Sequence, residues 1–252
     1  MSTKSLDRIE TLARSLEVSN VIRLKDAADL LGVSEMTVRR DVAACENTFT
    51  YLGGYITLKS PMAGGLGYIL DRERSEHTDL KRMACQIAAR HIKPGDTLFL
   101  DCGTTIPYLA NALPENKDIT AVCYSINVAE ILCKKRGLRV IMLGGMYHAS
   151  SASFADSNSV NAILDLNINT AFMSAGGVNT TRGVSCSNPH EVDIKKAVLR
   201  TAANKILVVD STKFNVIKPM LFAKLDQFDM ICSDDQCDTA LASQIACPLI
   251  SA

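Results

Sequence analysis

The chain has 252 residues, enough for one large domain or for a small domain and a medium one, and it is 47% apolar and 5% aromatic, with no tryptophan. Lys plus Arg and Asp plus Glu both total 27, and the first 60 residues hold eight of each sign, so net charge gives no signature of a polyanion partner. No run approaches the roughly 18 apolar residues of a membrane span and MSTKSLDRIE has no apolar h-region, which leads to the expectation of a cytoplasmic protein without a membrane partner.

Leu6, Ile9, Leu12 and Leu16 recur every three or four residues and predict a helix over about 5 to 17. Leu24, Ala27, Ala28 and Leu31 predict a second helix, interrupted by Gly32. Val38, Val42 and Cys45 predict a third beginning after Ser34. TYLGGYITLKS alternates around Gly53 and Gly54 and reads as a hairpin, either a wing with a contact role or a plain structural hairpin. PMAGGLGYILDRERSEHT, rich in Gly and charge, reads as a linker. The expected organisation is therefore a first domain over 1–59, a linker over 60–78 and a second domain over 79–252.

From residue 79 onward LKRMACQIAARHI and IPYLANAL have helical spacing, and strand-like runs recur at TLFLD, ITAVCY, LRVIML, TAFMSA, KILVVD and DMICSD. Alternation of strand and helix predicts an α/β, Rossmann-like parallel sheet covered on both faces, because parallel strands need crossover connections. The dominance of Ala, Val, Ile and Leu suits that core.

LKDAADLLGVSEMTVRRDVAACE, residues 24 to 46, has the spacing of a helix-turn-helix: about eight helical residues, a turn at Gly32 and a helix capped by Ser34. The small Ala28 allows a close crossing. With Val38 inward and about 100° per residue, Val42 and Cys45 lie on the same side, while Met36 and Arg40 point nearly opposite, toward a groove. Thr37 and Arg39 flank them as candidates for phosphate contacts, and Arg40, whose fork matches the two acceptors of guanine, is the candidate base reader. The bland alternative is a three-helix bundle whose arginines form a solvated face.

In TLFLDCGTTIPYLANAL a buried strand ends at Asp101, and a Gly and Thr loop leads into a helix, a placement that favours anions. Gly103, Thr104 and Thr105 are candidate phosphate contacts, although a Thr pair can equally cap the helix. Ser125 and Asn127, Gly144 and Gly145, Gly176 and Gly177, and Asp210 and Lys213 follow other strands, so all are expected to converge on one rim. Lys195, Lys196 and Lys213 are candidate cations for a phosphate, and Asp101 and Asp210 candidate acceptors for sugar hydroxyls; each lysine has an ordinary surface role as its alternative. The four histidines lack ligand spacing, so no metal or other cofactor is expected. The nine cysteines contain no C-x-x-C pair and read as reduced thiols; Cys102 is a reactive thiol or, more simply, a small loop residue.

Taken together, LKDAADLLGVSEMTVRRD, LGGY, DCGTT, Gly144–Gly145, SAGGV and VVDSTKF resemble, in this order, the DeoR family of bacterial repressors over nearly the whole chain. The resemblance implies a winged helix-turn-helix followed by a sensor domain related in fold to ribose-5-phosphate isomerases. It implies a DNA-binding transcriptional repressor of a deoxyribose or nucleoside catabolism operon, whose partners are operator DNA and a sugar-phosphate effector, with deoxyribose 5-phosphate as the specific expectation. By position it assigns Asp101, Gly103, Thr104 and Thr105 to a phosphate loop, Lys195 to a lysine recurring after an acidic residue (here Glu191), and Asp210 and Lys213 to a D-x-x-K-F pattern. Pro189 and His190 depart from it, standing where many relatives carry acidic residues. A homo-oligomer is expected, since paired half-sites need paired readers. The competing readings are a sugar-phosphate isomerase or hydrolase built on Asp101, Glu191 and Lys195, and a repressor responding to a different phosphorylated ligand.

Overall fold

The computed structural model describes residues 3–19, 22–45, 48–52, 55–58, 73, 75–238, 245 and 247–251. The chain divides into two compact units, Met1–Ile69 and Leu70–Ala252. Gly53 and Gly54 at the hairpin tip, and residues 60–72 and 74 of the expected linker, lie outside the described residues.

In the first unit α1 (Thr3–Ser19), α2 (Leu24–Leu31) and α3 (Glu35–Ala44) are the three helices expected. Leu12, Leu16, Leu24, Ala27, Ala28, Val38 and Val42 are buried together with Phe49 and Ile56. Full burial of Leu12 and Leu16 contributes about 2 kcal/mol each before entropy is counted. Gly32 ends α2 at φ +62°, the left-handed conformation that suits glycine, and the Val33 N–H donates to the Ala28 carbonyl at 3.0 Å. β2 (Phe49–Leu52) pairs antiparallel with β3 (Tyr55–Leu58), and β1 (Ile22–Arg23) adds to β3 through Ile22 opposite Ile56. The unit is a winged helix-turn-helix. β1 escaped sequence reading because two residues are too few to show alternation.

In the second unit the six runs read as strands form β4 (Thr97–Leu100), β5 (Ile119–Cys123), β6 (Leu138–Met142), β9 (Thr170–Met173), β12 (Asn204–Val208) and β14 (Met230–Cys232). With β15 (Leu249–Ile250) they make a parallel sheet in the order β15-β14-β12-β9-β4-β5-β6. Leu98, Leu100, Ala121, Cys123, Phe172, Ile206 and Val208 pack on one face against α4 (Thr78–Ala89), α5 (Ile106–Ala112) and α6 (Ile126–Leu132). Phe99, Val122, Met173, Leu207 and Val209 pack on the other against α7 (Ser157–Leu164) and α8 (Pro189–Thr201). This alternation is the period-two geometry of strands in a sheet buried on both sides.

Two small antiparallel groups complete the unit: the hairpin β7 (Met146–His148) with β8 (Ser153–Ala155), and β10 (Gly177–Asn179), β11 (Gly183–Cys186) and β13 (Met220–Ala223) in that order. Sequence alternation did not reveal these short strands. From β4 the chain runs outward through β5 and β6, then returns to place β9 on the other side of β4. The strand order therefore reverses between β4 and β9, and a crevice at their carboxyl ends is the general location for ligands in such sheets.

Candidate functional site

The outward face of α3 follows from its cap and its buried stripe. Ser34 is the N-cap, with φ −72° and ψ 152°; its Oγ accepts from the Thr37 N–H at 3.3 Å and shares a 2.9 Å hydrogen bond with the Thr37 hydroxyl. Both hydroxyls thus fix the start of the helix. Val38 and Val42 are buried, whereas Arg39 and Arg40 are exposed and Met36 is 74% exposed.

Sequence reading missed Asp41. It is 6% exposed and accepts from the Ser5 hydroxyl at 2.8 Å, Arg8 Nε at 2.7 Å and Arg8 Nη2 at 2.6 Å. These bonds clamp α1 to α3 and fix the rotation of α3. Position 41 lies about 60° from Val38 around the helix, which gave a hint of burial, but Ser5 and Arg8 are more than 30 residues away in sequence.

In the second unit Asp101 directly follows β4 and is fully buried. Its Oδ1 accepts from the Cys102 N–H at 2.9 Å and the Tyr124 hydroxyl at 2.6 Å. Its Oδ2 accepts from the Ser174 N–H at 2.8 Å, the Ser174 hydroxyl at 3.2 Å and Lys195 Nζ at 2.5 Å. Lys195, 1% exposed, also donates to the Ser174 carbonyl at 3.1 Å, lies 3.5 Å from Glu191 Oε2 and sits 5.0 Å from the Phe222 ring centroid. Burial pulls the Lys195 ammonium down, but Asp101 and Glu191 outweigh it and hold its pKa above the ordinary lysine value. The group is a fixed positive charge. Asp101 and Ser174 follow β4 and β9, so this cluster ties the two strand ends together where the strand order reverses.

Beside it, Gly103 and Thr104 are half-buried and Thr105 is buried. Gly103 takes φ +95°, and its carbonyl accepts from Asn127 Nδ2 at 3.1 Å. The N–H groups of Gly103, Thr104 and Thr105 meet no acceptor among the described residues. The loop thus carries three unpaired backbone donors directly after the buried cluster of Asp101, Lys195 and Glu191. Cys102 is 1% exposed and burial pushes its thiol well above the ordinary value, so it is the small loop residue rather than a nucleophile. The candidate acid–base set for catalysis, Asp101, Glu191 and Lys195, is locked into one buried ion cluster.

The two aspartates of the expected rim fall on different faces of the sheet, while the Thr105 carbonyl accepts from Cys85 on α4, the helix that Asp210 faces. Asp101 continues the parity of Phe99 and faces α8; Asp210, after β12, continues the parity of Val208 and faces α4. Asp210 and Lys213 accordingly do not join Lys195; Lys213 Nζ lies 3.3 Å from Glu73 Oε2. Lys196 is exposed, outside both groups.

The other loops have local duties. The Ser125 hydroxyl donates to Asn127 Oδ1 in the buried cap of α6. Gly144 accepts from the Ser159 hydroxyl at 2.5 Å, and Gly145, at φ +124°, leaves no room for a side chain against Ala155. Gly176 and Gly177 are crowded by Lys218 and by the Val216 carbonyl. Tyr124, Ser174 and Lys81 were not foreseen. Lys81 is detectable in retrospect as a lysine in the apolar stripe of α4 with Ala84, Cys85 and Ala88. Among the described residues no group of three or more His, Cys, Asp or Glu is placed to hold a metal ion, and no helix is long and apolar enough to cross a membrane.

His190, one residue before Glu191, stacks on His148 with centroids 3.7 Å apart, and its Nε2 is 2.8 Å from the Ser151 hydroxyl. Burial and His148 lower its pKa from the ordinary 6.5, with Glu191 opposing. The unfolded chain therefore takes up this proton first as pH falls. Stability tied to neutral His190 is complete above the ordinary value and is lost progressively below it. Urea melts at about pH 7.5 and about pH 5.5 should show a loss on acidification that His190→Gln reduces; an unchanged pH dependence in that variant rules the linkage out.

The DeoR-like helix-turn-helix domain matches residues 8–60, and the DeoR C terminal sensor domain matches residues 76–235. Over 234 residues, 93% of this chain and 92% of the other, the sequence is 38% identical to the deoxyribose operon repressor of Escherichia coli strain K12. The chain belongs to the DeoR family. It is also similar to the HTH-type transcriptional regulator IolR of Bacillus subtilis strain 168, at 26% identity over 240 residues and 92% of each chain. This DeoR-family chain is a transcriptional repressor rather than an enzyme, with a helix-turn-helix to bind DNA and a sensor domain for a small molecule. Among solved structures, ribose 5-phosphate isomerase A from Neisseria gonorrhoeae overlaps 55% of this chain and 54% of its own at 20% identity and a TM-score of 0.41, too partial an overlap to bear on chemistry.

Proposed function

We propose that this DeoR-family repressor controls a deoxyribose or nucleoside catabolism operon and leaves its operator when deoxyribose 5-phosphate binds the sensor domain. The observation that carries the proposal is the set of unpaired Gly103–Thr105 N–H groups at the carboxyl end of β4, where the strand order reverses. Backbone N–H groups and the Thr104 and Thr105 hydroxyls would hold the phosphate. Lys195, paired with Asp101 and Glu191, would hold the Asp101 end of the loop in place together with Tyr124 and Ser174. The 38% identical relative named as a deoxyribose operon repressor supports the choice of sugar. On the DNA side Met36 and Arg40 would read base edges, while Thr37 and Arg39 would set the register on phosphates.

A balanced charge over the first 60 residues favours weak non-specific binding by a single copy, which supports a homo-oligomer with paired readers working in the cytoplasm. A thermal-shift panel of deoxyribose 5-phosphate, ribose 5-phosphate and hexose phosphates tests the assignment. The cognate ligand at about 100 times its dissociation constant adds about 2.7 kcal/mol, enough to raise Tm by several degrees, and it should release operator DNA in a mobility-shift assay. No shift with deoxyribose 5-phosphate sinks the assignment of the sugar.

A further inference from the structure

His148 on β7 and His190 on α8 are joined to the Gly103–Thr105 loop by two routes through the fold. The first runs over the β7–β8 hairpin, which folds back onto the carboxyl end of β5: Ser153 bridges Ser125, the Ile126 N–H donates to the Ala152 carbonyl at 2.9 Å, and the Phe154 N–H donates to the Tyr124 carbonyl at 2.8 Å. Ser125 in turn donates to Asn127, which holds the Gly103 carbonyl at 3.1 Å. Within the hairpin the Ser153 and Ser151 hydroxyls share a 2.7 Å hydrogen bond, and Ser151 lies 2.8 Å from His190 Nε2. All three serines are buried, so this route is a fixed part of the fold. The second route starts at Glu191, next in sequence to His190, which lies 3.5 Å from Lys195; Lys195 bonds Asp101, two residues before Gly103. The two routes close into a ring of contacts, with the loop at one point and the imidazole pair at another.

Both rings are half-buried and stacked, with centroids 3.7 Å apart and planes 6° from parallel. His190 Nε2 is taken by Ser151, whereas His190 Nδ1 and both nitrogens of His148 have no hydrogen-bond partner among the described residues. Burial and His148 keep His190 neutral at neutral pH, and a neutral imidazole offers one N–H donor and one acceptor nitrogen. That chemistry matches hydroxyl groups, which also donate and accept, better than it matches a phosphate, which needs donors alone. The neighbouring carboxylate is not free to do the same work: Glu191 is buried and held by Asn188 Nδ2 at 2.6 Å and by Lys195. We propose that His148 and His190 are the specificity-determining pair of the sensor domain, bonding the hydroxyl end of a phosphorylated sugar whose phosphate occupies the Gly103–Thr105 loop. The proposal rests on the effector reading of that loop and adds the residues that tell a sugar ester from bare phosphate. A few placed polar groups of this kind fix which ligand a site accepts.

Titration calorimetry of the full chain with deoxyribose 5-phosphate and with inorganic phosphate tests this. His148→Phe keeps a flat ring for the stack and removes two unpaired nitrogens. It should weaken the sugar ester about two- to tenfold, the range for one lost hydrogen bond, and change inorganic phosphate by less than about twofold. Thr104→Val/Thr105→Val should instead weaken both ligands together, because both present a phosphate to the loop. A His148→Phe protein that keeps the wild-type ratio of the two affinities, by leaving both unchanged or by weakening both alike, overturns the inference and leaves the loop assignment standing. So does a wild-type protein that binds the ester no more tightly than phosphate. Wild-type protein that binds neither ligand, or whose binding the threonine variant does not change, overturns the loop assignment and the inference with it.

Discussion

Lys195→Met should lower the stability of the sensor domain by about 3–5 kcal/mol, because it leaves the Asp101 carboxylate buried without its counter-ion. Methionine matches the length of the lysine stem, so lost charge rather than a cavity dominates. The Cys102 N–H, the Tyr124 hydroxyl, and the N–H and hydroxyl of Ser174 still serve Asp101, which places the loss toward the lower end of that range. The double variant Asp101→Asn/Lys195→Met should be more stable than Lys195→Met alone, since it removes the stranded charge. Urea melts of the three proteins measure this. A single variant as stable as wild type would show that the pair contributes nothing to the fold. The result also governs how ligand experiments are read: loss of an effector response in a lysine variant reports a disturbed β4/β9 crevice, and the Thr104 and Thr105 variants are the cleaner probes of contact.

Arg40→Ala should weaken operator binding by about 1–3 kcal/mol per half-site, roughly five- to 150-fold, and by more where two half-sites are engaged together. Arg40 is exposed on the side of α3 opposite Val38 and Val42, so folding should change by less than about 0.5 kcal/mol. Arg39→Ala should act differently, weakening binding to all sequences and reducing the salt dependence by about one ion. Fluorescence anisotropy with operator and scrambled duplexes over a salt series separates the two effects. If Arg40→Ala binds the operator as wild type does, α3 is not the reading helix.

The helix-turn-helix was legible because its determinants are local. A small residue at Ala28, a left-handed turn at Gly32 and a cap at Ser34 each act within a few residues of their own position. The six longer strands were legible for the same reason, since each carries a buried run bounded by turn residues. Features that depend on distant partners were not. The Asp41 clamp requires Ser5 and Arg8, and the Asp101 cluster requires Tyr124, Ser174 and Lys195, which arrive from three later elements. Which of the loops after strands meet side by side was not legible without parity. Asp101 and Asp210 both follow strands, but one continues the face of Phe99 and the other that of Val208. Counting alternate residues along β4 and β12 would have separated them. β7, β8, β10, β11 and β13, of three or four residues each, offer too little alternation to stand out from loops.

Helix α3 keeps its anchored and its exposed positions apart: 38, 41 and 42 are held inward by packing and by the Arg8 and Ser5 bonds, Thr37 is tied to the Ser34 cap, and 36, 39 and 40 are exposed. Such a helix can be re-lettered. On the proposed reading, the three exposed positions form a cassette that can be exchanged for another operator preference without redesigning the scaffold, so that drift in which promoter is addressed need not disturb the fold.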